Sequence, residues 1–164
     1  MKKIAVIMGS DSDLPVAEKA ISTLRSYGVP FEVHVFSAHR TPDEAKAFAE
    51  DARKNGFGAI IALAGMAAHL AGALAANTTL PVVGVPVKSA VLDGMDALLS
   101  TVQMPSGIPV ATVAVDGAAN AALLCIEILA VQDAALADKL AAARAEGTAK
   151  VLAKNKAIEE TYNS

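Results

Sequence analysis

Residues 31–42, FEVHVFSAHRTP, carry a strand pattern that runs directly into the start of a helix. Apolar residues alternate through the β-branched and aromatic segment Phe31–Phe36, which predicts a strand. Thr41 is suited to an N-cap, and Pro42 to the first helical position. Glu44 would complete a capping box with Thr41, so the pattern predicts a helix from Pro42. The turn between them then lies at the carboxyl end of a strand, which is where open α/β sheets bind ligands.

His39 and Arg40 lie in that turn. An imidazole that titrates near neutral pH beside a permanent cation indicates proton transfer next to an anion. The alternative is a solvated turn in which both side chains point into water. His34, by contrast, alternates with apolar neighbours and is predicted to lie on a sheet face without a chemical role.

The same alternation of strand and helix extends along the chain. Right-handed crossovers then predict the α/β class, a three-layer α/β/α doubly wound parallel sheet in one domain, residues 1–164. Its core spans about residues 3–131, followed by a long C-terminal helix at about 134–162, with Gly147 as a candidate kink. The predicted strands are at 4–8, 31–36, 59–63, 82–87 and 110–115, and the predicted helices at 14–27, 42–55, 70–77, 95–102, 118–131 and 134–162.

Composition narrows the classes of function. Of the residues, 54% are hydrophobic and 19% charged, and the formal net charge is −3. This charge gives no reason to expect nucleic acid or an anionic membrane as a partner. Cys125 is the only cysteine, so no internal disulfide is expected. No apolar run reaches the ~18 residues of a membrane span, and we expect a cytoplasmic protein.

The predicted helix at 118–131 is apolar almost all round, because Glu127 is its only charged residue. A helix without a polar face is buried, and a sheet covers only one of its sides. We therefore expect other subunits of a closed, symmetric homo-oligomer to cover the rest. The alternative is burial beneath the chain's own C-terminal helix.

The segment after the first strand offers groups for an anion and for a sugar. Gly9 permits a tight turn, and Ser10 and Ser12 add hydroxyls to the free N–H groups of a helix start, which together favour a phosphate. Asp11 and Asp13 could accept hydrogen bonds from ribose hydroxyls. The alternative is an ordinary helix start that Ser12 or Asp13 caps. The segment matches neither a Walker loop nor the dinucleotide fingerprint.

The loop at residues 64–69, AGMAAH, consists mainly of small residues, so its backbone can approach a ligand closely. In a doubly wound sheet of order 2-1-3-4-5, the loops after strands one, two and three surround one crevice. His69 either lines this crevice or forms its hydrogen bonds within its own helix, and the pattern slightly favours the second. Neither a metal-ligand spacing nor a nucleophile motif such as Gly-x-Ser-x-Gly is present.

Five segments occur in order: GSDSD at 9–13, SAHRTP at 37–42, AAHL at 67–70, PVVGVPV at 81–87 and LLSTVQMP at 98–105. Together they resemble the PurE family, the class I 5-(carboxyamino)imidazole ribonucleotide mutases of bacterial purine biosynthesis. The resemblance extends from about residue 3 to residue 131. It depends on the combination, since each segment alone is weakly specific.

The resemblance implies a flavodoxin-like fold, an octamer with sites between neighbouring subunits, and neither metal nor organic cofactor. It implies a nucleotide substrate whose carboxylate moves from an exocyclic nitrogen to a ring carbon. By resemblance, His39 is the catalytic residue and Arg40 contacts the phosphate. The further substrate-binding positions expected are Ser10, Ser12, Asp13, Ser37, Ala67, Ala68, His69 and Leu70.

The chain departs from the family pattern at three positions. The family commonly has Gly where Met66 stands, Pro where Ala71 stands, and Gly where Ser106 stands. The first two bear on the choice between a mutase and the related class II enzymes, which carboxylate aminoimidazole ribonucleotide directly. The class II loop is usually more polar than the loop of this chain, which favours the mutase. A non-catalytic flavodoxin-like binding module is the third alternative.

Overall fold

A five-stranded parallel sheet with helices on both faces forms the body of the protein. The computed structural model describes residues 1–163. The strands are β1 (Lys3–Met8), β2 (Phe31–Val35), β3 (Phe57–Gly65), β4 (Val82–Val87) and β5 (Ala111–Thr112). The helices are α1 (Leu14–Tyr27), α2 (Pro42–Asp51), α3 (Leu70–Ala75), α4 (Met95–Val102), α5 (Ala118–Ala130) and α6 (Ala134–Tyr162). The strand order β2-β1-β3-β4-β5 confirms the doubly wound prediction.

The two faces of the sheet form two separate apolar clusters. On one face α1 and α5 pack over fully buried residues such as Val6 and Ile61, and on the other α2 and α3 pack over Ile7 and Ile60. Successive residues of a strand point to opposite faces, so a strand covered on both sides needs apolar residues at every position. This requirement explains the continuous apolar runs of β1 and β3.

Strand β5 is shorter than predicted, because only Ala111 and Thr112 pair with β4 as a strand. The chain still follows β4 beyond this point, since the N–H groups of Val113 and Asp116 donate to the carbonyls of Gly84 and Pro86. Pro86 has no N–H to donate in return. The regular ladder therefore ends where the proline ring faces the edge strand.

Helix α5 packs against α1, β3 and the beginning of α6. In α6, Leu136 is buried and Leu140 is partly buried against the same cluster, but every residue from 141 to 163 is exposed. The C-terminal helix therefore covers α5 only through its first two turns. Gly147 does not interrupt α6, which continues unbroken from Ala134 to Tyr162, so no helix boundary lies there. One glycine costs about 1 kcal/mol in a helix, which the strong helix formers around it offset.

The length and polarity of the same helices bear on whether the chain can cross a membrane. Within the range 1–163, none of them combines the length and the apolarity needed to cross a membrane. Helix α6 is the longest at 29 residues and carries charged side chains along its whole length.

Candidate active site

A cavity of about 500 Å³ lies at the carboxyl edge of the sheet, over the ends of β1, β2, β3 and β4. It opens next to the switch point between β1 and β3, as the strand order predicts. All the predicted site residues line it except Asp11 and Ala68. Ala68 is only 2% exposed and packs in the protein interior.

The turn between β2 and α2 is held by two side chains that hydrogen-bond to its backbone. The hydroxyl oxygen of Ser37 accepts from the N–H groups of His39 and Arg40, at 3.3 and 3.2 Å. Thr41 Oγ1 accepts from the Ser37 N–H at 2.9 Å. Because Thr41 is engaged in this way, it does not cap α2, and the predicted capping box with Glu44 is wrong. The same bonds hold residues 39 and 40 towards the cavity.

His39 and His69 form a hydrogen-bonded pair across the cavity. His39 Nε2 lies 3.0 Å from His69 Nδ1, and the rings meet edge to face at 73°. One nitrogen donates the shared proton and the other accepts it. The expectation that His69 bonds within its own helix is therefore wrong. Each ring keeps a second nitrogen, His39 Nδ1 and His69 Nε2, so the pair can take up a proton at one end and release one at the other.

Arg40 supplies a cation at the same edge. Its side chain is exposed, and none of the salt bridges among residues 1–163 involves it. All the donors of its guanidinium thus remain for an anionic group, which a guanidinium binds through two parallel hydrogen bonds.

The segment after β1 folds into a short 3-10 helix, Asp11–Asp13, before α1 begins. Ser10 caps this turn, since its hydroxyl accepts from the Ser12 N–H at 3.3 Å and from the Ser12 hydroxyl at 2.9 Å. Neither Ser12 nor Asp13 caps α1 through its side chain, so that alternative is wrong. The additional turn leaves two adjacent serine hydroxyls at the cavity wall.

Asp13 is one of the few buried polar residues of the described chain, with 7% of its surface exposed. Burial raises the pKa of its carboxyl group above 3.8, and the negative charge of Asp11 raises it further. A hydrogen bond with the Ser10 backbone acts in the opposite direction but is outweighed. A carboxyl group held at a cavity wall at this cost is typical of a ligand-binding position.

The loop between β3 and α3 is shorter than predicted, because β3 continues through Gly65. Met66 adopts a left-handed conformation with φ of 55° and is 68% exposed. This conformation favours glycine, which is the residue that the PurE pattern has at this position. Ala71 lies in the first turn of α3, where a proline would also fit, so the helix does not depend on that departure.

The sequence did not predict the cavity residues at the end of β4 and just after it, namely Val87, Lys88, Ser89 and Ala90. The switch point lies between β1 and β3, whereas β4 is the next strand beyond β3 and ends at the same edge. The available signal was a lysine directly after a fully apolar strand. Among residues 1–163, no three His, Cys, Asp or Glu side chains are grouped so that they could hold a metal ion.

A larger groove of about 1000 Å³ lies at the opposite edge, near the amino ends of β4 and β5. Its charged lining residues are Glu50 and Arg53, and the Arg53 guanidinium donates to the carbonyl and the hydroxyl of Thr79. This groove contains no imidazole, and the guanidinium of its one cation, Arg53, is engaged by Thr79, so the smaller cavity is the candidate active site.

Comparisons with known proteins agree with this geometry. A family model described as AIR carboxylase matches residues 3–150. The chain is 52% identical to an N5-carboxyaminoimidazole ribonucleotide mutase of Pyrococcus horikoshii, over 96% of this chain and 89% of the relative. It is 51% identical to a phosphoribosylaminoimidazole carboxylase of Saccharomyces cerevisiae, over 95% of this chain but only 27% of that longer protein.

A solved structure has the same fold. The crystal structure of Treponema denticola PurE superposes with a TM-score of 0.87 at 27% identity, and the match covers 95% of this chain and 98% of that one. The match to the family model, the identity to the curated relatives and this superposition lead to one conclusion. The chain belongs to the AIR carboxylase family.

Proposed function

We propose that this protein is the mutase that converts 5-(carboxyamino)imidazole ribonucleotide to 4-carboxy-5-aminoimidazole ribonucleotide in purine biosynthesis. The relatives that it matches along most of their length carry the mutase name. The observation that carries the proposal is the His39–His69 pair, because the reaction needs one proton to be supplied to the exocyclic nitrogen and one to be removed from the ring carbon.

The bonds and protons of the reaction balance without an electron carrier. The bond between the exocyclic nitrogen and its carboxylate breaks, carbon dioxide leaves, and the nitrogen takes one proton. Carbon dioxide then forms a bond to the ring carbon, which loses one proton. The proton released equals the proton taken up, and no atom changes its oxidation state through an external partner. We therefore propose that the reaction requires no organic cofactor.

His39 is the proposed proton carrier. It donates to the nitrogen as a general acid and later accepts from the ring carbon as a general base. The hydrogen bond to His69 fixes the orientation of the His39 ring. The same bond gives the stored proton a second position, since the two rings can exchange their donor and acceptor roles.

Arg40 and the small residues of the β3–α3 loop have positioning roles in this scheme. The Arg40 guanidinium binds the remote phosphate and contributes binding energy without taking part in bond making. Ala64, Gly65 and Ala67 line the cavity with small groups. Carbon dioxide held against such a wall stays next to the ring until it reacts.

Direct carboxylation of aminoimidazole ribonucleotide is the second candidate. The 51% identity to a phosphoribosylaminoimidazole carboxylase supports it. Met66 bears on the choice, because this left-handed residue shapes the loop that should retain carbon dioxide. Two assays separate the candidates: turnover of the carboxyamino compound, and turnover of aminoimidazole ribonucleotide with dissolved carbon dioxide. We expect rapid conversion of the first only. Rapid conversion of the second with none of the first would contradict the mutase.

We also propose that the chain assembles into a homo-octamer and acts in the cytoplasm. Three apolar side chains on one stripe of α4, Met95, Leu99 and Val102, are about half exposed, and Val91 and Leu92 lie exposed just before it. Exposed apolar surface of this extent is typical of subunit interfaces. Light scattering on the purified protein should give eight times the chain mass. Leu99→Glu should lower that mass, while the exposed substitution Lys54→Glu should not.

A further inference from the structure

Lys88 is tied to two carboxylates at the mouth of the cavity. Its backbone N–H donates to Asp116 Oδ1 at 2.9 Å, and its ammonium lies 3.1 Å from Asp93 Oδ1. The backbone bond anchors the residue at the end of β4. The side-chain pair is exposed, with 60% of the Lys88 side chain and 82% of the Asp93 side chain accessible. An exposed pair contributes little to stability and exchanges partners readily.

Both carboxylates that contact Lys88 belong to residues with a left-handed backbone. Asp93 and Asp116 have φ of 52° and 56°, and the only other residue with positive φ that is not glycine is Met66, within the described range. A left-handed conformation costs roughly 1–2 kcal/mol for an ordinary residue and less for Asp. Strain of this kind concentrates at functional sites. All three of these residues lie in, or bond to, segments that line the cavity.

Lys88 and Arg40 lie at opposite ends of the cavity. Arg40 follows β2 and Lys88 follows β4, with β1 and β3 between them. Three strand spacings separate their starting points, roughly 14 Å. A carboxylated mononucleotide has its phosphate at one end and its base carboxylate at the other. Two separated cations therefore match the two separated anionic groups of such a ligand.

We propose that Lys88 is a second anion-binding residue, which contacts the carboxylate of the carboxylated nucleotide, and that Asp93 is its counter-ion within the chain. The inference rests on the proposed function, which supplies the nucleotide. Lys88 exchanges the Asp93 carboxylate for that of the ligand. A nucleotide without the carboxylate leaves the Lys88–Asp93 pair intact, so Lys88 distinguishes carboxylated from decarboxylated forms.

Titration calorimetry with two ligands tests the proposal: 4-carboxy-5-aminoimidazole ribonucleotide, and aminoimidazole ribonucleotide, which lacks the carboxylate. Lys88→Gln should raise the Kd of the first about tenfold and that of the second less than about twofold. Lys88→Arg should retain most of the affinity. Lys54→Gln removes the same charge from the opposite edge of the sheet and should change neither Kd.

Asp93→Asn provides the opposite perturbation. It frees the ammonium of Lys88 from its counter-ion and should tighten binding of the carboxylated nucleotide only. Equal weakening of both nucleotides in Lys88→Gln would overturn the proposal, as would unchanged binding of both. A wild-type protein that bound neither nucleotide would instead overturn the proposed function itself.

Discussion

The bodies of the strands and their carboxyl ends follow opposite rules. Within β1 and β3, side chains such as Val6 and Ile61 are apolar and fully buried. At the carboxyl ends, exposed imidazoles contact each other, Asp13 is a buried carboxyl group, and Met66 has a left-handed backbone. The first region lowers the free energy of the folded state and the second raises it. The stability of the buried strands therefore allows the carboxyl edge of the sheet to hold unfavourable groups in place.

Replacing the imidazole at position 39 should produce the largest effect at the strand ends. His39→Asn keeps a side chain of similar size but cannot carry a proton at neutral pH. We expect turnover to fall by about 10²–10⁴-fold, with the melting temperature nearly unchanged. His34→Asn, which alters a histidine outside the cavity, is the matched control for a steady-state assay. Undiminished turnover in His39→Asn would remove the basis of the mechanism.

Truncation of a buried side chain within a strand should lower the stability and leave turnover unchanged. Ile61→Ala leaves a cavity in the fully buried apolar cluster and should lower the free energy of unfolding by about 2–5 kcal/mol. Ile61→Val removes one methyl group and should cost about 0.5–1.5 kcal/mol. Urea denaturation measures both. The molecules that stay folded should keep their turnover number. A loss of turnover without a loss of stability would contradict the separation between the strand interiors and the carboxyl edge of the sheet.

Removal of the guanidinium should affect binding more than chemistry. Arg40→Ala loses charge-assisted hydrogen bonds to the phosphate and should weaken nucleotide binding by about 1.5–3 kcal/mol. Calorimetry with the product nucleotide gives this value. His39→Asn serves as the comparison and should largely retain its affinity. Equal losses of affinity in the two variants would contradict the division between a proton carrier and a phosphate anchor.

Met66, the left-handed residue of the β3–α3 loop, allows a test in which the stability change is smaller and of opposite sign. Met66→Gly relieves the backbone strain and should raise the free energy of unfolding by about 1 kcal/mol. Met66→Ala retains the Cβ atom that causes the strain and is the control. Thermal unfolding distinguishes them. A gain of the same size in both variants would show that the exposed methionine side chain, and not its backbone, is the source of the cost.

Asp13 predicts a pH dependence. The folded chain holds the Asp13 proton more tightly than the unfolded chain does, because the pKa of this buried carboxyl group is raised above 3.8. Its contribution to stability is therefore full below that pH and is lost as the pH rises through the raised pKa. Asp13→Asn should melt at a higher temperature than wild type at pH 7. The difference should vanish near pH 3, and a difference that persists there would exclude this cause.

Several boundaries follow from local chemistry alone. The predicted bounds match the observed ones for α1 at 14–27, β4 at 82–87 and α4 at 95–102. Here an apolar period, a proline and a glycine coincide within a few residues, so local preferences agree with the tertiary structure. The site residues after β1, β2 and β3 were predictable for a similar reason, since topology alone brings the carboxyl ends of parallel strands together.

Other features depended on competing groups that local preference does not identify. Thr41 is a residue type that commonly caps helices, but in the folded protein its hydroxyl accepts from the backbone N–H of Ser37. The residues after Thr112 have a strand pattern, but their neighbour in the sheet is Pro86, which lacks the N–H that a ladder needs. In both cases a competing group, identified only by the spatial arrangement, displaced the interaction that local preference favoured.

The order of apolar runs and turn residues in the sequence by itself determined the fold class and the edge of the sheet that carries the candidate site. It also identified His39 as the candidate proton carrier and Arg40 as the candidate residue that binds an anion. Only the tertiary structure determined that His69 bonds to His39 and that Lys88 joins the cavity. The physical reason is range. Secondary structure and strand ends reflect interactions between near neighbours in the chain, whereas hydrogen bonds and ion pairs across a cavity depend on which loops the packed sheet brings within about 3 Å of each other.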